Sequence, residues 1–111
     1  MKPFDVREKV DDSGEYILGV DATGSHACYM IYGVMQPHEK GRKLKPGKGH
    51  EELILAMKGD FSVSGDAWGV LREGEAIHLK GDETCMLENN SEEEGIYVIS
   101  GGHSGRGHGH R

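Results

Sequence analysis

Two side chains with donor chemistry, His50 and Glu52, stand two residues apart in the run Gly49-His50-Glu51-Glu52-Leu53-Ile54-Leu55-Ala56-Met57. Side chains alternate in direction along a strand. His50 and Glu52 are therefore expected on one face, with Pro46 and Lys48 before them on that side if the chain is extended there. Imidazole and carboxylate can ligate a metal, and a thiolate such as that of Cys85 would widen the set to N, O and S donors. That chemistry favours Zn, Fe, Ni or Cu over Mg or Ca. His26 and Cys28 also alternate onto one face, but His26 follows the Gly24-Ser25 turn and is expected in solvent. His38 and His78 are further candidates, and His78 is expected on the face opposite Ile77 and Leu79. For these isolated histidines a solvent-facing or hydrogen-bonded role is the plainer expectation. The run from Gly101 to Arg111 carries His103, His108 and His110 among glycines. It cannot bury a core, and its His-x-His step can bind Ni, Zn or Cu loosely. No Ser-His-Asp order, phosphate-binding glycine loop or CxxC motif is present.

The elements that must position these groups are strands. Apolar and β-branched residues come in short runs separated by Gly, Asp and Asn, and no segment carries helical periodicity. Strands are predicted over residues 15–20, 27–35, 52–57, 61–64, 68–71, 76–79, 84–88 and 96–100. Lys58-Gly59-Asp60 and Arg72-Glu73-Gly74-Glu75 each place a glycine where a tight hairpin needs positive φ. With 18 glycines and 3 prolines, the chain suits a double-sheet jelly roll. Leu53 to Met57 is apolar at every position, which predicts cover on both faces of that strand, one from the interior and one from a second sheet or subunit.

At 111 residues the chain is long enough for one core. Its net charge of -6 argues against phosphate-backbone binding, so no nucleic-acid partner is expected. Lys40, Arg42, Lys43, Lys45 and Lys48 form one basic cluster, read as a solvated loop. No apolar run approaches the ~20 residues that span a bilayer, and the start Met1-Lys2-Pro3-Phe4-Asp5 lacks the apolar stretch of a signal peptide. A cytoplasmic protein without membrane partners is expected, with Cys28 and Cys85 as free thiols.

Two stretches resemble the paired motifs of the cupin superfamily. In the first, Glu52 and Gly59 match a glutamate followed by a six-residue strand and a turn glycine. In the second, Gly74 is followed by Lys80, Asp82, Cys85 and Asn89, where the family pattern carries Pro, Gly, His and Asn. The motifs cover about half of the chain. The resemblance implies a double-stranded β-helix, or jelly-roll barrel. It also implies metal ligands at positions that here read Pro46, Lys48, Glu52 and Cys85. A register one residue earlier would put Thr84 at the ligand position and Gly81 at the turn glycine, whereas the Cys85 register keeps Gly74 and Asn89 in place.

From these readings the expectation is one domain over residues 1–102, with residues 1–14 as an N-terminal arm and residues 103–111 as a tail. The barrel is expected to bind a small molecule near Lys48, His50, Glu52, Cys85 and Asn89. A carboxylate directed into a barrel needs a cation, a donor or water to offset its desolvation, and Lys48 is the candidate cation. One alternative is a metal-dependent enzyme of dioxygenase, isomerase or decarboxylase type, with His50, Glu52 and Cys85 holding a divalent transition metal. Another is metal binding by His103, His108 and His110. The resemblance also implies a homodimer, with the arm and the Tyr29 and Tyr32 region as contact material.

Overall fold

Glycine-bounded runs of alternating burial become strands because each can turn one face to a shared interior while its backbone pairs with neighbours. A computed structural model describes residues 1–104. The strands are β1 (Glu15–Leu18), β2 (Cys28–Met35), β3 (Arg42–Leu44), β4 (Gly47–Lys58), β5 (Phe61–Gly65), β6 (Gly69–Leu71), β7 (Ala76–Gly81), β8 (Cys85–Glu88) and β9 (Gly95–His103). They pair antiparallel in two sheets, ordered β1-β2-β9-β4-β7 and β3-β8-β5-β6. The first sheet sends Met35, Ile54, Leu79 and Ile99 into the core, and the second sends Leu44, Phe61, Cys85 and Leu87. The fold is an all-β jelly-roll barrel, as the sequence predicts. Gly59 and Gly74 hold their hairpins at φ of 82° and 90°.

Several local expectations fail for identifiable reasons. The predicted strand over 15–20 stops at Leu18, and Val20–Thr23 turns into a short helix α1, with Thr23 Oγ1 donating to the Gly19 carbonyl. Trp68, predicted to open the strand over 68–71, lies before β6 and is 85% exposed. The basic cluster is not only a solvated loop, since it contains β3. Leu44 there is buried, and the Arg42 guanidinium donates to Tyr97 Oη at 2.8 Å, the Val34 carbonyl at 3.0 Å and Glu39 at 2.8 Å. Strand β9 extends through His103, so the sheet continues past the boundary expected at residue 102.

The apolar run in β4 splits by face. Ile54 and Ala56 are fully buried, whereas Leu53, Leu55 and Met57 are 52%, 37% and 46% exposed. The second sheet therefore does not cover the outer face. One register row there, Tyr16–Tyr32–Val98–Leu55–Ala76, crosses all five strands without a charge. Residues Pro3 to Glu8 lie at the edge of this face beside Tyr32 and Met57.

Candidate functional site

Three strands of the first sheet build the site. At one register, Tyr29 of β2, Gly101 of β9 and Glu52 of β4 lie side by side. A Cβ on Gly101 would collide with the Tyr29 ring, so the missing side chain gives that ring its place. Tyr29 reaches across β9, and its hydroxyl donates to Glu52 Oε2 at 2.5 Å. Glu52 is 5% exposed. Burial, and then the adjoining Glu52 carboxylate, push the Tyr29 phenol well above its ordinary pKa, so it remains a donor at neutral pH.

The same device recurs deeper in the barrel. Tyr97 of β9 lies over Gly33 of β2 and donates to Glu15 of β1, the register partner of Gly33. Arg42 closes that second pair from the side. The first pair faces open space instead.

That space is a cavity of about 430 Å³ at the barrel mouth. Ile17, Val20, Ile31 and Pro46 supply apolar wall, while Tyr29, Glu52, His50 and His103 supply polar groups. His26, Cys28 and Lys45 also reach its lining. The His50 and His103 rings are 4.9 Å apart between centres, and Tyr29 meets His50 edge-on at 5.9 Å. A larger depression, about 650 Å³, lies among Lys58, Asp60, Glu73 and the 90–94 turn. Half of its lining residues are charged and exposed, and none is a buried polar group turned toward a ligand.

Of the five residues expected around a barrel ligand, Lys48, His50, Glu52, Cys85 and Asn89, the structure brings only His50 and Glu52 to the cavity, and the further candidates His26, Cys28 and His103 join them there. Lys48 is exposed and does not line it, because β4 slips register between Gly47 and Glu51 and the alternation expected there is broken. The donor that offsets Glu52 is Tyr29. Cys85 is fully buried in the core on β8, opposite Leu44 and Gly65, and does not line the cavity. Burial pushes its thiol up to about 11, and the negative charge of Asp66 adds to the shift. Cys85 is nonetheless the buried member of the Thr84–Cys85 pair, consistent with the register that keeps Gly74 and Asn89 in place.

Asn89 is a structural latch. Its amide donates to the carbonyls of Met35, Gln36 and Glu93, its Oδ1 accepts from the Ser91 backbone N–H, and it does not line the cavity. His78 is exposed and pairs with Glu51 at 2.9 Å, as His38 does with Glu92 at 2.8 Å. His108 and His110 lie outside the described residues. Tyr29, expected at a subunit contact, points into the cavity. Its signal in the sequence was the alternation Tyr29-Ile31-Gly33-Met35, which puts it on the inward face. His103 carried no such signal, because only strand pairing takes it out of the tail.

No family model and no curated protein matches this chain. Solved structures do. A cupin 2 conserved barrel domain protein from Salinispora arenicola superposes with a TM-score of 0.70 at 17% identity, over 94% of this chain and 88% of that one. A cupin protein from Bacteroides fragilis gives 0.68 at 15% identity, over 92% and 86%. The chain has the cupin fold. An oxalate oxidase gives 0.68 at 18% identity over 84% of this chain, which spans about half, 53%, of that protein.

The metal set implied by the cupin motifs does not fit here. Pro46 has no donor atom, Lys48 stands outside the cavity, Cys85 is a protonated core thiol, and Glu52 already accepts from Tyr29. Among the described residues, no three His, Cys, Asp or Glu side chains gather to hold an ion. Also among the described residues, no helix is long and apolar enough to cross a membrane.

Proposed function

We propose that this cupin binds a small organic molecule at the barrel mouth, one with an apolar body and an amine or hydroxyl donor. The observation that carries this reading is Glu52, a buried carboxylate with one oxygen held by Tyr29, on the wall of a 430 Å³ cavity. Such a group is costly to desolvate unless donors surround it, and a ligand that supplies one repays the cost. His50 and His103 add hydrogen-bonding capacity, and the apolar wall takes the body of the ligand. A metal-dependent enzyme built on His50, Glu52 and Cys85 is the weaker reading, since Cys85 belongs to the core. A cytoplasmic setting is part of this proposal, supported by two free thiols.

The test uses benzylamine, benzyl alcohol and benzoate as probes, with backbone amide shifts followed by NMR. Benzylamine and benzyl alcohol are expected to move the Tyr29, His50 and Glu52 signals, and benzoate is not. Glu52→Gln should weaken benzylamine by about tenfold or more, the scale of a lost charge-assisted hydrogen bond. Equal responses to all three probes, or none at these residues, would reject the reading.

The uncovered outer sheet face is, in the same proposal, the seat of a second copy of this chain. An acidic protein approaches itself with least repulsion where it carries no charge, and Leu53, Leu55, Met57 and Met30 present such a surface. Five strands ~4.8 Å apart and about six residues long at ~3.3 Å each cover on the order of 500 Å². The 1–14 arm extends that area toward the ~800 Å² per partner of a standard interface. Sedimentation velocity should give a dimer for the parent and a monomer for Leu55→Lys. A parent that stays monomeric at its highest soluble concentration would disprove the pairing.

A further inference from the structure

We infer that His50 and His103 form a two-histidine site for a divalent transition metal, on donors other than those the cupin motifs supply. The two residues are register partners across the β4–β9 ladder, so their Cβ atoms share one face at close range. Their rings are 4.9 Å apart between centres. An ion bound at 2.0–2.1 Å from an imidazole nitrogen lies about 3.2 Å from that ring's centre. Two rings on one ion then have centres about 4.5 Å apart at a right angle and about 5.2 Å apart at a tetrahedral angle. The observed separation falls between these values. The 35° tilt also leaves the rings unstacked.

The strand ends hold the pair in place. The backbone N–H of Ser104, next to His103, donates to the Gly49 carbonyl, next to His50, at 2.8 Å. His50 is half-buried and His103 exposed, so an ion can enter from solvent. Lys45 also lines the cavity, and its ammonium lies 4.0 Å from the Asp82 carboxylate. Neutral imidazoles suit Zn, Cu and Ni, and two protein ligands leave further positions for water or for a donor atom of a cavity ligand. Glu52 keeps its bond to Tyr29 and is not a ligand. The site stands independently of the small-molecule reading, and it gives a bound molecule a second anchor beside Glu52.

The test is Zn²⁺ titration by calorimetry, at one fixed pH because protons compete for the ligands. It uses the full chain carrying His108→Asn and His110→Asn, which removes the other two histidines of the C-terminal run. One Zn²⁺ per chain is expected. His50→Asn or His103→Asn in that background should each weaken binding by about tenfold or more, because the second ligand of a chelate acts as an intramolecular one. Replacing both should cost little beyond either alone. In the unsubstituted pair, Zn²⁺ should shift the ring-proton NMR signals of His50 and His103 together and leave those of His38 and His78 in place. Metal-free unfolding midpoints report whether each variant is folded. Affinity unchanged by either single replacement, or ring signals of His50 and His103 that do not move together, would overturn the site. Glu52→Gln is expected to leave Zn²⁺ affinity intact while weakening benzylamine, so the failure of one proposal is distinguishable from the failure of the other.

Discussion

Tyr29 and Glu52 are two strands apart in one sheet, yet the phenol donates directly to the carboxylate at 2.5 Å. Gly101 on the intervening strand makes this possible, because the tyrosine ring occupies the space where a Cβ would be. The Tyr97–Gly33–Glu15 row repeats the arrangement.

Gly101→Ala should therefore displace Tyr29 and lower stability by about 1–3 kcal/mol, the usual cost of overpacking a filled site. Gly33→Ala should cost a similar amount through Tyr97. Urea denaturation midpoints measure both, and a midpoint equal to the parent's would show that the rings do not need the glycines.

Tyr29→Phe removes the donor and leaves the Glu52 oxygen buried without it. The expected loss is about 1–3 kcal/mol. Glu52→Gln in the same chain should recover part of that loss, since a neutral amide is less costly to bury than a carboxylate. A double-mutant cycle between Tyr29→Phe and Glu52→Gln should give a coupling of about 0.5–3 kcal/mol. Additive effects would mean the hydrogen bond contributes nothing in solution.

Asn89→Ala strips one donor amide from three carbonyls. We expect a stability loss of about 1–3 kcal/mol, with Zn²⁺ and benzylamine binding unchanged. A variant that stays stable but loses a cavity ligand would restore Asn89 to the site.

The two thiols should separate sharply. Cys28 is exposed and Cys85 fully buried, so a thiol reagent should modify the native protein at Cys28 first and reach Cys85 only on unfolding. Cys85 also sets an alkaline limit. Its folded pKa, about 11, lies above the ordinary 9.0, so the native state keeps the proton longer than the unfolded chain does. The stabilisation is complete below pH 9 and is lost as pH rises through 11, about 3 kcal/mol in all. Tyr29 and Tyr97, raised in the same direction, steepen the decline. Urea midpoints across that range in Cys85→Ala and the parent should converge as pH rises. A parallel pair of curves would contradict the assignment.

The sequence by itself determined the all-β class, most strand positions, the glycine turns and the inward placement of Glu52, because alternation and turn chemistry are local properties. The motif resemblance placed Cys85 in the cavity beside Glu52, whereas the pairing of β8 with β3 and β5 packs it into the core. The sequence could not assign the partner of Glu52. Lys48 was near in sequence, but the slip between Gly47 and Glu51 removes it, and Tyr29 arrives from 23 residues away. Asn89 had the right type for a ligand contact, and only the carbonyls gathered from β2 and the 90–94 turn make it a latch. His103 changed most. In the sequence it belongs to a glycine-rich run without a core, and it becomes part of the mouth because β9 pairs antiparallel with β4 and sets it opposite His50. Long-range strand register decides which residues share a face at one depth, and no local pattern encodes that register.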